Sequence, residues 1–274
     1  MNLGFIGTGK IASSVISGIC NSKIRYKRII VSPRNKKISQ GLKKKFKKVI
    51  IAKNNQEIIN KSSWIFLSVT PLVGEKIIKN LSFKSNQTII SFISTINLPK
   101  LKKMIKVKAN IVRAIPLPPI SLKKGPVPIY PPNKKVKSFF DKIGSTIEIK
   151  DEKLSINFWS ISGMMASYYD ILRVMSNWLE KKGIKKQDAQ KYITSLFLAL
   201  SEDAVVNSKK DLKILVKESQ TPKGLNEQGL KEMSKKGVYK SVLDTLNSIH
   251  KRLKKWLMSE NILELIIYQN ILVV

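Results

Sequence analysis

Cysteine is almost missing from this chain. Cys20 stands alone, so no intrachain disulfide can form, which predicts a reducing, cytoplasmic setting. Histidine is equally scarce. His250 is the single one, and a catalytic triad, a histidine base or a histidine-rich metal site would have to rest on it. No cluster of Cys and His occurs, and no metal is expected. Acid is short as well: 18 Asp and Glu face 51 Lys and Arg, for a formal net charge of +33. Only six of those cations are arginines. Specific readers of nucleic acid concentrate base in a patch and mix in arginine and aromatics. Here lysines run from Lys10 to Lys255 in pairs and triplets along apparent helix faces. The charge therefore reads as a solvated surface that attracts anionic small molecules, with no specific nucleic-acid partner. No uninterrupted apolar run is long enough to span a bilayer, so no membrane partner is expected either. The apolar tail from Ile262 to Val274 carries Glu264, Gln269 and Asn270 and reads as a packing segment. The chain opens directly in a strand, which predicts no secretory signal.

What is present begins at the first residues. Met1 to Ile6 is a short apolar run, and Gly7-Thr8-Gly9-Lys10-Ile11-Ala12 follows at once. The spacing predicts a helix over Ala12 to Cys20. Strand, glycine turn and helix with G-x-G-x-x-A at the turn is the arrangement that binds a dinucleotide. Gly7 permits the turn, Gly9 lets backbone approach a pyrophosphate, and Ala12 lets helix pack on strand. The helix start then offers free N–H groups to phosphate. The next strand, Arg28 to Val31, ends in Ser32-Pro33-Arg34-Asn35. An acid after this strand binds a ribose 2′-hydroxyl, while an arginine accommodates a 2′-phosphate. With Ser32, Arg34 and Asn35 and no acid nearby, NADP(H) is the expected cofactor and NAD(H) the alternative.

Helices and strands then alternate. Helices are predicted over Lys36 to Phe46, Asn54 to Asn60, Leu72 to Asn80 and Leu98 to Ile105. Strands are predicted over Val49 to Ile51, Trp64 to Val69, Thr88 to Phe92 and Asn110 to Ala114. Such alternation means a parallel sheet covered on both faces. Between Ile115 and Pro128 prolines are dense, which predicts neither a continuous helix nor a central strand. Val127 to Tyr130, a helix through Phe140 and Thr146 to Ile149 finish this part. From Glu152 onward strands disappear, and helical spacing covers Leu154 to Lys182, Lys186 to Asn207, Lys209 to Glu218 and Val238 to Met258, with a break at Gly183. The expectation is an α/β, Rossmann-type dinucleotide-binding domain over residues 1–150, followed by an all-α domain over residues 151–274.

This order resembles the pyrroline-5-carboxylate reductase family, as far as about Leu253. The run GFIGTGKIASSVISG resembles its opening. Ser68-Val69-Thr70-Pro71 resembles a strand end, A-V-K-P, that touches the cofactor, and Ser91 to Thr95 sits where the family carries S-x-x-A-G. Arg113 to Pro119 resembles R-x-M-P-N-T-P, and Ser162 to Tyr168 lies where the family has S-G-S-G-P-A-Y. Thr221 to Leu230 looks like S-P-G-G-T-T-x-x-G-L. The resemblance implies reduction of a cyclic imine to proline by NAD(P)H, cofactor contacts from Val69, Thr70, Pro71, Ser94 and Pro116, and an intertwined homodimer or larger homo-oligomer through the helical domain. It also exposes departures. The paired threonines at the family's substrate site are Leu225 and Asn226 here. The asparagine of the proline motif is Leu117, and Met164-Met165-Ala166 replaces a glycine-rich stretch.

Ser167, Tyr168, Gly224, Leu225 and Asn226 are the expected substrate contacts, and Asn226 and Thr221 the candidates to act on the imine. A protonated imine is already electrophilic, so no strong side-chain acid is obligatory. Leucine at the carboxylate site removes a donor, at a cost of about 1–3 kcal/mol. Three readings stay open: an imine reductase of this type, a related reductase of another imine or carbonyl compound, and a non-catalytic nucleotide-binding protein. Wide apolar stripes, such as Trp159, Ile171, Met175 and Trp178, then Ile193, Leu196, Phe197 and Leu200, then Ile249, Leu253, Trp256 and Leu257, ask for more partners than one bundle supplies.

Overall fold

The computed structural model describes residues 1–258. The apolar tail named above lies outside them. The chain divides into two compact units between Ser155 and Ile156, where the sequence reading puts the division at 150/151.

In the first unit eight strands form one sheet. They are β1 (Asn2–Ile6), β2 (Arg28–Val31), β3 (Val49–Ile51), β4 (Trp64–Leu67), β5 (Thr88–Ser91), β6 (Asn110–Ala114), β7 (Pro126–Tyr130) and β8 (Ser145–Glu148), in the order β3-β2-β1-β4-β5-β6-β7-β8. Six helices cover it: α1 (Lys10–Cys20), α2 (Lys36–Lys45), α3 (Asn55–Lys61), α4 (Pro71–Ile78), α5 (Leu98–Ile105) and α6 (Lys134–Phe140). The strands are apolar on both sides because both faces are covered. Leu3, Phe5, Val31 and Phe66 join one core with Val15 and Ile16 of α1 and Phe139 and Phe140 of α6. Ile6, Ile30, Ile65 and Leu67 join the other with Ile58 of α3, Ile78 of α4 and Leu101 of α5. The period of two along each strand sorts residues to the two faces. Phe5 and Phe66 stack across β1 and β4, ring centroids 4.4 Å apart.

Several boundaries differ from the sequence reading. The first helix begins at Lys10, not Ala12, because extended Gly9 caps it and the next residues already turn. Asn35, Asn54 and Asn97 cap α2, α3 and α5, each accepting a hydrogen bond from a backbone N–H three residues on. The expectation that the proline-dense stretch holds no central strand is corrected. β7 contains Pro126 and Pro128 yet lies between β6 and β8. Its ladder with β6 spans only Arg113↔Tyr130 and Ala114↔Ile129. The Pro128 carbonyl accepts from Ile115 N–H at 3.1 Å, so the missing proline donor falls at the end of that short ladder, where it removes one bond. The wholly parallel sheet is corrected too: β6 and β7 are antiparallel. The stretch joining them is too short for a helical crossover and makes a 3-10 turn, Pro118–Leu122, instead.

The second unit is all-helical. It holds α7 (Ser155–Ser162), α8 (Met165–Lys181), α9 (Lys186–Val206), α10 (Leu212–Glu218), α11 (Leu225–Lys235) and α12 (Val238–Met258). The predicted helix Leu154 to Lys182 is broken at Gly163 and Met164. Helix α11 adds to the predicted elements, since its start reads in the sequence only as a motif. No helix among the described residues is long and apolar enough to cross a membrane. Little of this unit is buried: among the described residues, Ile156, Ala189 and Ile193, with Ser160 and Ser176. Of the predicted stripes, Ile171, Met175, Trp178, Leu196 and Leu200 are exposed, Trp178 by 59%. The side chains of Trp256 and Leu257 lie outside the described ones.

Candidate functional site

The order β2-β1-β4 places a topological switch point between β1 and β4, because the chain winds outward through β2 and β3 and then returns to the other side of β1. Ligands of open α/β sheets bind in the crevice at the carboxyl ends of strands at such a point. A groove of about 650 Å³ lies there, lined by Gly7, Thr8 and Gly9 after β1, Arg34, Asn35 and Lys36 after β2, and Ser68, Val69, Thr70 and Val73 after β4.

Its floor is the glycine turn. Gly7 has φ +96°, and a Cβ there would sit 2.2 Å from the Ser68 carbonyl oxygen. Both the backbone sign and the close approach exclude a side chain. A Cβ on Gly9 would meet nothing within 4 Å. Internal packing does not require glycine at that position, which leaves open room above the turn. Thr8 is 3% exposed and its Oγ1 has no hydrogen-bond partner among the described residues. A buried hydroxyl without a partner is uncommon, and a bound phosphate oxygen supplies one. Lys10, Ile11 and Ala12 form the first turn of α1, whose cap makes no side-chain bond and whose first turn has no acid. Their backbone N–H groups have no intrahelical acceptor. The residues present thus fit a dinucleotide pyrophosphate.

The β2 end is cationic. Arg34 makes no ion pair among the described residues and stands beside Lys36. Asn35 also starts the next helix, since its Oδ1 accepts from Ile38 N–H at 3.2 Å and caps α2.

Seven of the proposed cofactor residues meet in this groove: Gly7, Thr8, Gly9, Arg34, Asn35, Val69 and Thr70. Pro71 is the first residue of α4. Ser32 is 3% exposed beneath the end of β2, where its N–H continues the ladder to the Phe5 carbonyl. Ser94 and Pro116 lie outside the lining, after β5 and β6. Ser68, within the strand-end motif named in the sequence, also lines the groove, while Lys36 and Val73 are additions that the sequence does not single out. Lys36 is hidden in a lysine-rich background, and Val73 is visible only once α4 is known to turn toward the groove.

Sequence reasoning also gives no role to Arg113. It is 3% exposed at the end of β6. Its Nη1 is bonded to Glu152 and its Nη2 donates to the Ser94 carbonyl. Burial draws the guanidinium below its ordinary pKa, and Glu152 opposes that shift. The signal in the sequence is an arginine within the apolar run Ile111 to Ala114 of β6.

The expected substrate residues all lie in the second unit, on two elements. Ser167 and Tyr168 are in the first turn of α8, and Tyr168 packs edge-on to Phe197. Gly224 caps α11, with Leu225 and Asn226 in its first turn. Leu225 is 85% exposed. Asn226 donates through Nδ2 to the Ser219 carbonyl at 2.8 Å, bracing the turn that contains Thr221. Lys223 there has φ +63°. No group of three or more His, Cys, Asp or Glu that could hold a metal ion occurs among the described residues.

Comparison with known proteins divides along the same lines. A family model described as "NADP oxidoreductase coenzyme F420-dependent" matches residues 2–96, and one described as "Pyrroline-5-carboxylate reductase dimerisation" matches residues 152–256. A pyrroline-5-carboxylate reductase of Synechocystis is 22% identical over 262 residues, 92% of this chain and 97% of the relative. The crystal structure of 1-pyrroline-5-carboxylate reductase from Streptococcus pyogenes has the same fold, with TM-score 0.76 and 24% identity over 93% of this chain and 98% of that one. That of Plasmodium falciparum pyrroline carboxylate reductase with NADP bound gives TM-score 0.79 and 21% identity over the same shares. With one family model on the N-terminal part, a pyrroline-5-carboxylate reductase dimerisation model on the C-terminal part and relatives matching almost end to end, this chain is similar to pyrroline-5-carboxylate reductases over nearly its whole length.

Proposed function

We propose that the protein is an NADP(H)-dependent reductase that converts 1-pyrroline-5-carboxylate to L-proline and works as a homodimer through the residues after about 151. The observation that supports the cofactor choice is the β2 end of the groove, where Arg34 and Lys36 stand with no acid beside them. The bound dinucleotide supplies the hydride. The chain binds and orients it. Gly7 and Gly9 admit the pyrophosphate, Thr8 Oγ1 and the first turn of α1 hydrogen-bond to it, and the cations after β2 take a 2′-phosphate. The imine nitrogen arrives protonated, so no side chain has to titrate near neutrality. Thr221 and Asn226 serve as polar contacts for the substrate rather than as acids. The cytoplasmic, reducing setting read from Cys20 belongs to the same proposal.

A second reading rests on Leu225. An exposed leucine at the head of α11 offers no donor to a carboxylate, and favours a less polar imine or carbonyl substrate. Absorbance of reduced nicotinamide, followed with pyrroline-5-carboxylate and then with a panel of imines and ketones, separates the two. Binding of NADPH without turnover of any compound would favour a non-catalytic role. Arg34→Ala tests the cofactor: NADPH should weaken far more than NADH, and equal losses for both would defeat the assignment.

A further inference from the structure

We infer that Arg113 is a positioning residue for the cofactor, holding through the loop 92–97 the wall of the groove that faces away from the 2′-phosphate end. The inference rests on the NADP(H) reading above. The loop runs from β5 to α5 and is held at two points by one ion pair. Arg113 Nη2 donates to the Ser94 carbonyl while Nη1 is bonded to Glu152. The same carboxylate oxygen, Oε1 of Glu152, accepts from Leu98 N–H at 2.8 Å, at the first residue of α5. The arrangement needs a planar fork that reaches two acceptors at once, which arginine has and lysine lacks. Both side chains are largely removed from water, 3% and 18% exposed, so loss of either leaves the other poorly compensated.

The held loop packs behind the groove wall through Ile93, a buried core residue that is not itself in the lining. A Cβ placed on Gly74 of α4 would lie 2.9 Å from Ile93 Cδ1 and 3.5 Å from Val69 Cγ2. Ile93 and Val69 thus close over the same glycine, and Val69 lines the groove together with Val73, one residue before Gly74. Lys100 and Glu75, 2.6 Å apart, tie α5 to α4 separately, so α4 keeps an anchor when the arginine is changed. The strand order assigns the ends. With the pyrophosphate at Gly7 to Gly9 and the 2′-phosphate beyond β2, the rest of the dinucleotide extends over β4 and β5. Arg113 therefore acts on the nicotinamide end.

The test uses two ligands on the full chain. NADPH would span the whole groove; 2′,5′-ADP would occupy the β2 end and reach the glycine turn with its 5′-phosphate, leaving the nicotinamide end empty. Titration calorimetry on Arg113→Lys, Glu152→Gln and Ile93→Val, each checked for folding by thermal unfolding, gives the ratio of affinities. Ile93→Val leaves the ion pair intact and removes the Cδ1 that reaches Gly74, so it decides the matter if the charged variants fail to fold. We expect 2′,5′-ADP to bind as to the unaltered protein and NADPH to weaken about tenfold, which is about 1.4 kcal/mol of binding. Equal loss of both ligands, or no loss of either, overturns the positioning role. An unaltered protein that binds neither ligand overturns the cofactor reading itself, and this inference with it.

Discussion

At the scale of single residues one candidate position tolerates nothing and another, in the other unit, tolerates almost anything. Gly7 combines φ +96° with a carbonyl oxygen 2.2 Å from where a Cβ would stand. Gly7→Ala should cost more than about 1 kcal/mol, the lower bound for a side chain forced into a left-handed backbone, and should abolish NADPH binding. Denaturant unfolding and a fluorescence titration check the two effects. A stable variant that still binds NADPH would remove the turn from the cofactor site. Leu225 is the opposite case, 85% exposed. Leu225→Thr should leave stability unchanged, whereas Asn226→Thr loses the bond to the Ser219 carbonyl and should cost about 1 kcal/mol. The double variant should raise turnover of pyrroline-5-carboxylate with little change in NADPH affinity. No gain in turnover would mean that these two positions do not set the substrate preference. Gly7 is legible in the sequence because few residues can make that turn. Arg113 is not, because nothing in a one-dimensional pattern shows that a strand cation meets an acid at Glu152.

At the scale of elements, α2 is where folding meets the proposed cofactor choice. Asn35 accepts from Ile38 N–H to begin the helix and lines the groove beside Arg34 and Lys36. Asparagine and aspartate cap equally well, and alanine costs about 1 kcal/mol. Asn35→Asp should therefore keep thermal stability while placing a negative charge at the 2′-phosphate end, lowering NADPH affinity and sparing NADH. Asn35→Ala should lower stability and bring no such swing. If the Asn35→Asp variant binds both cofactors as before, this cap is separate from the ribose site. Strand β7 shows how neighbours decide an element. Two prolines argue against a central strand, yet the short antiparallel ladder on the β6 side leaves the Pro128 position with little to lose.

At the scale of the whole molecule, the two units differ in how they bury apolar surface. The first closes two cores over the faces of its sheet. The second leaves Ile171, Val174 and Trp178 of α8 and Leu196, Leu198 and Leu200 of α9 in water. Apolar area of this kind asks for a partner surface, and the matched dimerisation model covers the same helices. A permanent homodimer is the expected outcome in sedimentation. The charge of +33 opposes association, so dimerisation should tighten with added salt. Val174→Glu, which puts an acid into the exposed stripe, should give monomers. A stable, active monomer at low and at high salt would refute the dimer.

The amino-acid sequence by itself determined the alternation of strands and helices, the glycine turn, the cations after β2 and the all-helical second half. Each of these depends on local periodicity or on a backbone requirement that few residues meet. The tertiary structure decided the rest: the reversal between β6 and β7, the groove that brings Thr8, Lys36 and Val73 together, the pairing of Arg113 with Glu152, and helix α11 at a stretch legible only as a motif. Those features depend on which distant segments come into contact, and the spacing of residues along the chain does not encode that directly.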